Sequence, residues 1–201
     1  MKRFIQFTAA LALAVAVSAC NNARTDDNRA ATGSGGAVAG TSGSSNADRD
    51  FVEKALSSGN AEVELGRLAE QKGNHADVKE FGAMMVRDHQ AAAADLKPIA
   101  AKLNTTQAEA RENHDNDLRD TMEDLQKLSG RDFDKKYIDE MIDDHEKDVR
   151  DLENKAEHAS NPDVKAWAAK TLPTVRQHLE RAKSIKETLD HAGDTSSPPS
   201  K

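Results

Sequence analysis

Two histidines in this chain close nearly identical five-residue segments. Residues 85–89 read MVRDH and residues 141–145 read MIDDH, so each histidine directly follows an aspartate. Imidazole nitrogens and carboxylate oxygens bind transition metals, and both groups also exchange protons near neutral pH. The two segments therefore indicate either a binding site or a helical core that was duplicated.

The histidines point toward the predicted core. Plotted at 100° per residue, each lies within the apolar stripe of its helix, and two further helices each direct one polar side chain inward in the same way. A buried imidazole or carboxylate is costly without a partner, and four such groups can form a metal site. The predicted metal ligands are Glu62, His89, His145 and His178. Asp88 and Asp144, next to their histidines, are predicted as partners of the imidazoles or as extra ligands.

This donor set favours a single Zn, Cu, Ni or Fe ion. Carboxylate-bridged di-iron bundles carry Glu-x-x-His motifs, but Val86 and Val175 stand three residues before His89 and His178. A ferroxidase is therefore not favoured, and whether the chain is an enzyme stays open. The alternative is a structural or interaction protein in which the buried histidines form a metal-free network. No nucleophile elbow, phosphate loop or Cys-x-x-Cys pair supports a hydrolase, kinase or thioredoxin.

The elements that must position these residues are helices, and an internal repeat relates them. Residues 74–83 (NHADVKEFGA) align with residues 160–169 (SNPDVKAWAA) at a spacing of 86, and each segment opens the second helix of a hairpin. Two αα-hairpins joined by a long connection form an all-α, ferritin-like four-helix bundle with an extra short helix in the crossover. Capping residues, breakers and periodicity predict helices over 46–73, 74–103, 107–128, 131–159 and 160–191.

The N-terminus resembles a bacterial lipoprotein signal. Lys2 and Arg3 precede an apolar run that is too short to span a membrane and ends in Val17-Ser18-Ala19-Cys20. We predict a signal peptide over 1–19 and lipidation of Cys20, which would attach the chain to a membrane. Because Asn21 stands where an inner-membrane lipoprotein commonly has Asp, the expected location is the outer membrane, facing the periplasm of the cell envelope.

Composition divides the remainder of the chain. Residues 20–46 are rich in Gly, Ser and Thr without periodicity and predict a lipidated, disordered tether. The predicted bundle domain covers 47–192, and 193–201 is a predicted disordered tail. The net charge of −7 and 3% aromatic residues argue against nucleic-acid binding. No protein partner can be identified, and a single cysteine leaves stability to helix packing.

Four segments resemble the domain-of-unknown-function 4142 family: AEVELGRLAEQKG, VKEFGAMMVRDH, FDKKYIDEMIDDHEKDV and VKAWAAKTLPTVRQHLERA. The resemblance covers about residues 50–188. It implies a ferritin-like bundle of an outer-membrane or exported bacterial protein, and it implies no activity. Together with the residues above, we expect a lipid-anchored periplasmic bundle that binds a transition metal in envelope metal handling or stress protection.

Overall fold

The computed structural model describes residues 41–105 and 115–194, and the regular structure within these ranges is α-helical. Four long helices and one short helix follow one another along the chain. They are α1 (Thr41–Lys72), α2 (Ala76–Lys102), α3 (Asp115–Lys127), α4 (Gly130–His158) and α5 (Pro162–Asp194). The predicted all-α bundle, with a short helix between its two hairpins, is confirmed.

Several predictions fall on residues that are not described. The predicted signal peptide, Cys20, most of the tether and the tail from residue 195 lie outside the described ranges. Among the helices of residues 41–105 and 115–194, none combines the length and apolar character needed to cross a membrane.

Helix boundaries follow local capping chemistry, with one clear difference from the prediction. Helix α1 ends at Lys72, and the Gly73 amide donates to the Ala69 carbonyl at 2.9 Å, as expected for a glycine stop. Its first residue is Thr41, five residues before the predicted cap Asn46. Each residue added to an existing helix gains a hydrogen bond, so extending a helix costs less than starting one. The Gly and Ser residues before Asn46 are weak helix formers, but they can extend α1 because its later turns are already packed in the bundle.

The four long helices form two hairpins that pack against each other. Helix α1 packs along α2, α4 packs along α5, and the hairpins meet through α2 against α5 and α1 against α4. Helices α1 and α2 touch where two glycines face each other. A Cβ on Gly66 would lie 2.8 Å from the Gly82 carbonyl oxygen, and one on Gly82 would lie 2.6 Å from the Gly66 oxygen. Only glycine permits so close an approach of the two backbones.

A buried aspartate of the second hairpin holds the turn of the first. The Asp134 side chain near the start of α4 is fully buried, and its two oxygens accept hydrogen bonds from the amides of Asn74 and His75 at 2.8 Å each. These amides belong to the turn between α1 and α2, so the start of α4 lies beside the end of α1. Helices α1 and α4 are therefore antiparallel.

The same contact occurs at the opposite end of the bundle. Asp48 near the start of α1 accepts hydrogen bonds from the amides of Ser160 and Asn161 at 2.8 Å each and from Lys155 Nζ at 2.9 Å. Asp48 and Asp134 are 86 residues apart, the spacing of the internal repeat. The duplication therefore extends to the contacts between hairpins, and it relates the two halves by an approximate twofold axis.

A polar layer divides the apolar core into two clusters. The cluster at the α1–α2 turn is covered by α3 through Leu125 and includes Leu65, Phe81, Met85, Phe133, Tyr137, Met141, Ala182 and Ile185. The cluster at the α4–α5 turn includes Val52, Leu56, Leu96, Leu152, Val164, Trp167 and Val175. On each long helix, the predicted ligand lies between residues of the two clusters, which places all four ligands in this layer.

Candidate metal centre

Three histidines from three helices meet in the polar layer. The ring centroids of His89 and His145 lie 5.7 Å apart, those of His89 and His178 lie 5.3 Å apart, and those of His145 and His178 lie 5.5 Å apart. Their exposed fractions are 8%, 0% and 2% in chain order. One ligand nitrogen from each ring lies within 4.8 Å of the other two. The structure therefore brings the three predicted histidines together.

Neighbouring oxygens determine which nitrogen of His145 and His178 carries hydrogen. His145 Nδ1 lies 2.8 Å from the carbonyl oxygen of Met141, one turn earlier on α4. A carbonyl only accepts, so Nδ1 donates and Nε2 keeps its lone pair. His178 Nε2 lies 3.0 Å from Asp88 Oδ2, so Nε2 is the donor in that ring and Nδ1 keeps the lone pair.

Glu62 lies on the other side of the histidine rings. Its Oε2 is 2.9 Å from His89 Nδ1, and its Oε1 is 3.5 Å from His145 Nδ1, which already donates to a carbonyl. Neither contact has hydrogen-bond alignment. The carboxylate is 2% exposed and adjoins the cluster, whereas the sequence predicted it as a fourth ligand. The group whose ligand atoms converge consists of the three histidines, with Glu62 beside it.

Three buried nitrogens remain without a hydrogen-bond partner: His89 Nε2, His145 Nε2 and His178 Nδ1. They are the nitrogens left with lone pairs when the opposite nitrogen of each ring faces an oxygen. A tetrahedral ion with bonds of about 2.0–2.1 Å holds its nitrogens roughly 3.4 Å apart. The observed limit of 4.8 Å means that binding would draw the most distant pair together by up to about 1.4 Å.

The two aspartates next to the histidines differ in position. Asp88 bridges Arg87, whose Nε donates to its Oδ1 at 2.8 Å, and His178. It therefore fixes the ring of a histidine on another helix, not that of its neighbour His89. Asp144 pairs with Lys147 at 3.1 Å, and its side chain is 41% exposed. Asp144 lies at the edge of the site, away from the converging nitrogens.

Burial keeps the imidazoles neutral. It lowers the pKa of His89 and of His145 to about 4, and it also lowers the pKa of His178, an effect that Asp88 opposes. Neutral imidazole is the form that binds a metal, so the three rings are ready to bind at neutral pH. Burial also raises the pKa of Glu62 to about 7, with the His145 charge acting in the opposite direction.

Asp148 is a residue of this site that the sequence analysis did not identify. It lies one turn after Asp144 on α4, and burial together with the charge of Glu62 raises its pKa to about 8. The repeat contained the necessary signal, because 86 residues separate Asp148 from Glu62. A second inward carboxylate was therefore to be expected on α4.

Two cavities adjoin the polar layer. The smaller one has a volume of about 40 Å³, and its walls include apolar side chains of the second core cluster such as Leu96 and Trp167. The larger one, of about 330 Å³, lies between α1, α3 and α4, and several acidic side chains line it. Both cavities are lined by Glu62 and Asp148, together with Lys54 and Ser58, and these residues therefore lie where the two spaces meet.

Comparison with known protein families gives a match, which covers most of the chain. The model of a family described as a domain of unknown function, DUF4142, matches residues 34–185, which include all four predicted ligands. No curated protein and no solved structure matches the chain.

Proposed function

We propose that this chain, which belongs to the DUF4142 family, binds one transition metal ion through His89, His145 and His178. The convergence of three buried histidines, each with one ring nitrogen that has no hydrogen-bond partner, carries this proposal. A lone pair that is buried without a donor is unfavourable, and the three histidines of this cluster each carry one. A bound cation satisfies all three at once.

The donor set defines the class of metal. Three neutral imidazoles favour Zn, Cu, Ni or Fe over Mg or Ca, which prefer oxygen. Three protein ligands also leave a fourth coordination position for water or for a small ligand. Asp88 and the Met141 carbonyl then serve to orient the rings of His178 and His145, because each forms a hydrogen bond with one ring nitrogen and leaves the other nitrogen free for the metal.

The proposed setting is the cell envelope. Lipidation of Cys20 would anchor the chain in the outer membrane, with the bundle held in the periplasm by the tether that precedes α1. The bundle would act there in metal handling or in protection of the envelope against metal stress. The signal-like N-terminus supports this setting, and the histidine cluster supports the role.

A second candidate is a structural or interaction lipoprotein with a metal-free histidine network. The contacts of His145 with Met141 and of His178 with Asp88 favour it, because they give these two rings partners without any ion. The two candidates differ at the converging nitrogens. A metal-free network leaves these nitrogens unsatisfied or requires ordered water between them.

Zinc titration of the full chain, purified in detergent without a histidine tag, tests the proposal. We expect one Zn²⁺ per chain by calorimetry, and His178→Ala should weaken binding by at least about tenfold because it removes a ligand. His158→Ala is the matched control, since His158 is an exposed histidine on α4. Equal affinities of wild type and His178→Ala, or no stoichiometric binding by the folded wild type, would refute the metal site.

A further inference from the structure

The internal repeat pairs two carboxylates of the polar layer. Glu62 on α1 and Asp148 on α4 are 86 residues apart, as are Asp48 and Asp134, whose equivalent contacts relate the two halves. Helices α1 and α4 pack against each other as antiparallel neighbours. Glu62 and Asp148 are therefore related by the approximate twofold axis and lie on opposite sides of it.

The histidines do not follow this symmetry. The repeat equivalents of His89, His145 and His178 are Val175, Gly59 and Ala92, respectively. All three equivalents line the 40 Å³ cavity. The place where the twofold would put a second histidine cluster is thus a small space with mostly apolar walls. Within the polar layer, Glu62 and Asp148 are a carboxylate pair that both halves share.

Glu62 is a buried carboxylate without a hydrogen-bond donor. Its side chain is 2% exposed, and neither oxygen accepts a hydrogen bond, yet it forms part of the wall of the 330 Å³ cavity. No histidine is among the residues that line this cavity in the described part of the chain. The carboxylate therefore adjoins two different environments, with imidazoles on one side and the larger cavity on the other.

The larger cavity is suited to cations. Its walls carry five acidic side chains and two lysines, so the lining has a formal charge of about −3 when all are ionised. Both lysines already form ion pairs, Lys54 with Asp151 at 2.6 Å and Lys147 with Asp144 at 3.1 Å. The acidic residues are Glu62, Asp117, Glu140, Asp144 and Asp148.

We propose that Glu62 and Asp148 bind a second divalent cation through their carboxylate oxygens, at the junction of the two cavities. Oxygen donors favour hard cations such as Mn²⁺, Mg²⁺ or Ca²⁺, whereas the three imidazoles favour softer ions. A divalent cation there supplies a partner for the unpartnered oxygens of Glu62. The site differs chemically from the histidine site, and Glu62 adjoins both.

Binding of Mn²⁺ to the full chain in detergent, followed by electron paramagnetic resonance, tests this site. We expect about one Mn²⁺ per chain for the wild type, and Asp148→Asn should weaken binding by at least about tenfold. Glu62→Gln should have a similar effect, and it serves as a second variant if Asp148→Asn does not fold. Glu64→Gln is the control, because Glu64 is an exposed acid on the opposite side of α1.

The His178→Ala variant separates the two sites, since His178 contacts Asp88 rather than either carboxylate. It should bind Mn²⁺ as the wild type does while losing affinity for Zn²⁺. Three results would overturn the proposal: Mn²⁺ binding by folded Asp148→Asn at wild-type affinity, no Mn²⁺ binding by any folded form, or loss of Mn²⁺ binding in His178→Ala. The last result would place Mn²⁺ on the histidines.

Discussion

At the scale of single residues, Asp88 connects the surface to the buried cluster. Its carboxylate accepts from Arg87 on one side and from His178 Nε2 on the other, although His178 lies on α5. The contact fixes both the orientation of the ring and the position of its hydrogen. It therefore decides that Nδ1 is the nitrogen with a free lone pair.

Replacing Asp88 should weaken the metal site without abolishing it. We expect Asp88→Asn to reduce Zn²⁺ affinity by roughly 10–100-fold, because the amide can present its NH₂ group to His178 and no longer selects one tautomer. Competition with a chromophoric chelator measures the change. Asp95→Asn is the control, since Asp95 is an exposed acid on the same helix that pairs with Lys170. Unchanged affinity in Asp88→Asn would mean that the ring needs no such support.

The histidines could be predicted because each interrupts an apolar stripe of helical period, which is a property of local sequence. Which nitrogen each ring presents could not be predicted, because it depends on acceptors such as the Met141 carbonyl and on Asp88 across a helix interface. Asp148 was missed for a different reason. It lies among Asp143, Asp144 and Lys147, so its segment resembles a solvated helix face.

At the scale of helices, the reciprocal aspartates set the register of one hairpin against the other. Asp134 and Asp48 each accept two backbone amides of the opposite turn, and each turn supplies donors that a helix start leaves unpaired. The heights of the predicted ligands within each hairpin could be estimated by counting residues from its turn. Their alignment between hairpins could not, because it depends on these two contacts.

Removing one of these aspartates should cost substantial stability. We expect Asp134→Ala to lower the free energy of unfolding by about 2–4 kcal/mol, since it removes the buried, charged acceptor of two part-buried backbone amides. Urea unfolding followed by circular dichroism measures the loss. Asp132→Ala, an exposed acid in the first turn of α4, should cost only about 0.3–1 kcal/mol. Similar losses in both variants would contradict a specific role for Asp134.

At the scale of the whole molecule, the proposed membrane anchor and the proposed metal sites lie in different parts of the chain. The repeat and its contacts lie within α1 to α5, whereas Cys20 precedes them and is the only cysteine of the chain. Replacing it changes no disulfide and no residue of either proposed site. The effect of lipidation can thus be tested in isolation.

We expect Cys20→Ser to move the protein from the membrane fraction to the soluble periplasmic fraction, because serine offers no sulfur for the lipid. Fractionation of cells that express each form measures the distribution, and mass spectrometry of the N-terminal peptide detects the lipid. Zinc affinity should be the same in both forms. A variant that stays in the membrane fraction would show that another feature holds the protein there.

The close approach of α1 and α2 at Gly66 and Gly82 has a consequence for the chemistry one turn away. Gly66 follows Glu62 by four residues, and Gly82 precedes His89 by seven, so all four residues lie along the same helix–helix seam. The direct backbone contact between Gly66 and Gly82 consequently sets the distance between the Glu62 carboxylate and the His89 imidazole. Even one methyl group added at Gly66 or Gly82 would push α1 and α2 apart, and it would increase the distance between Glu62 and His89 without contacting either residue.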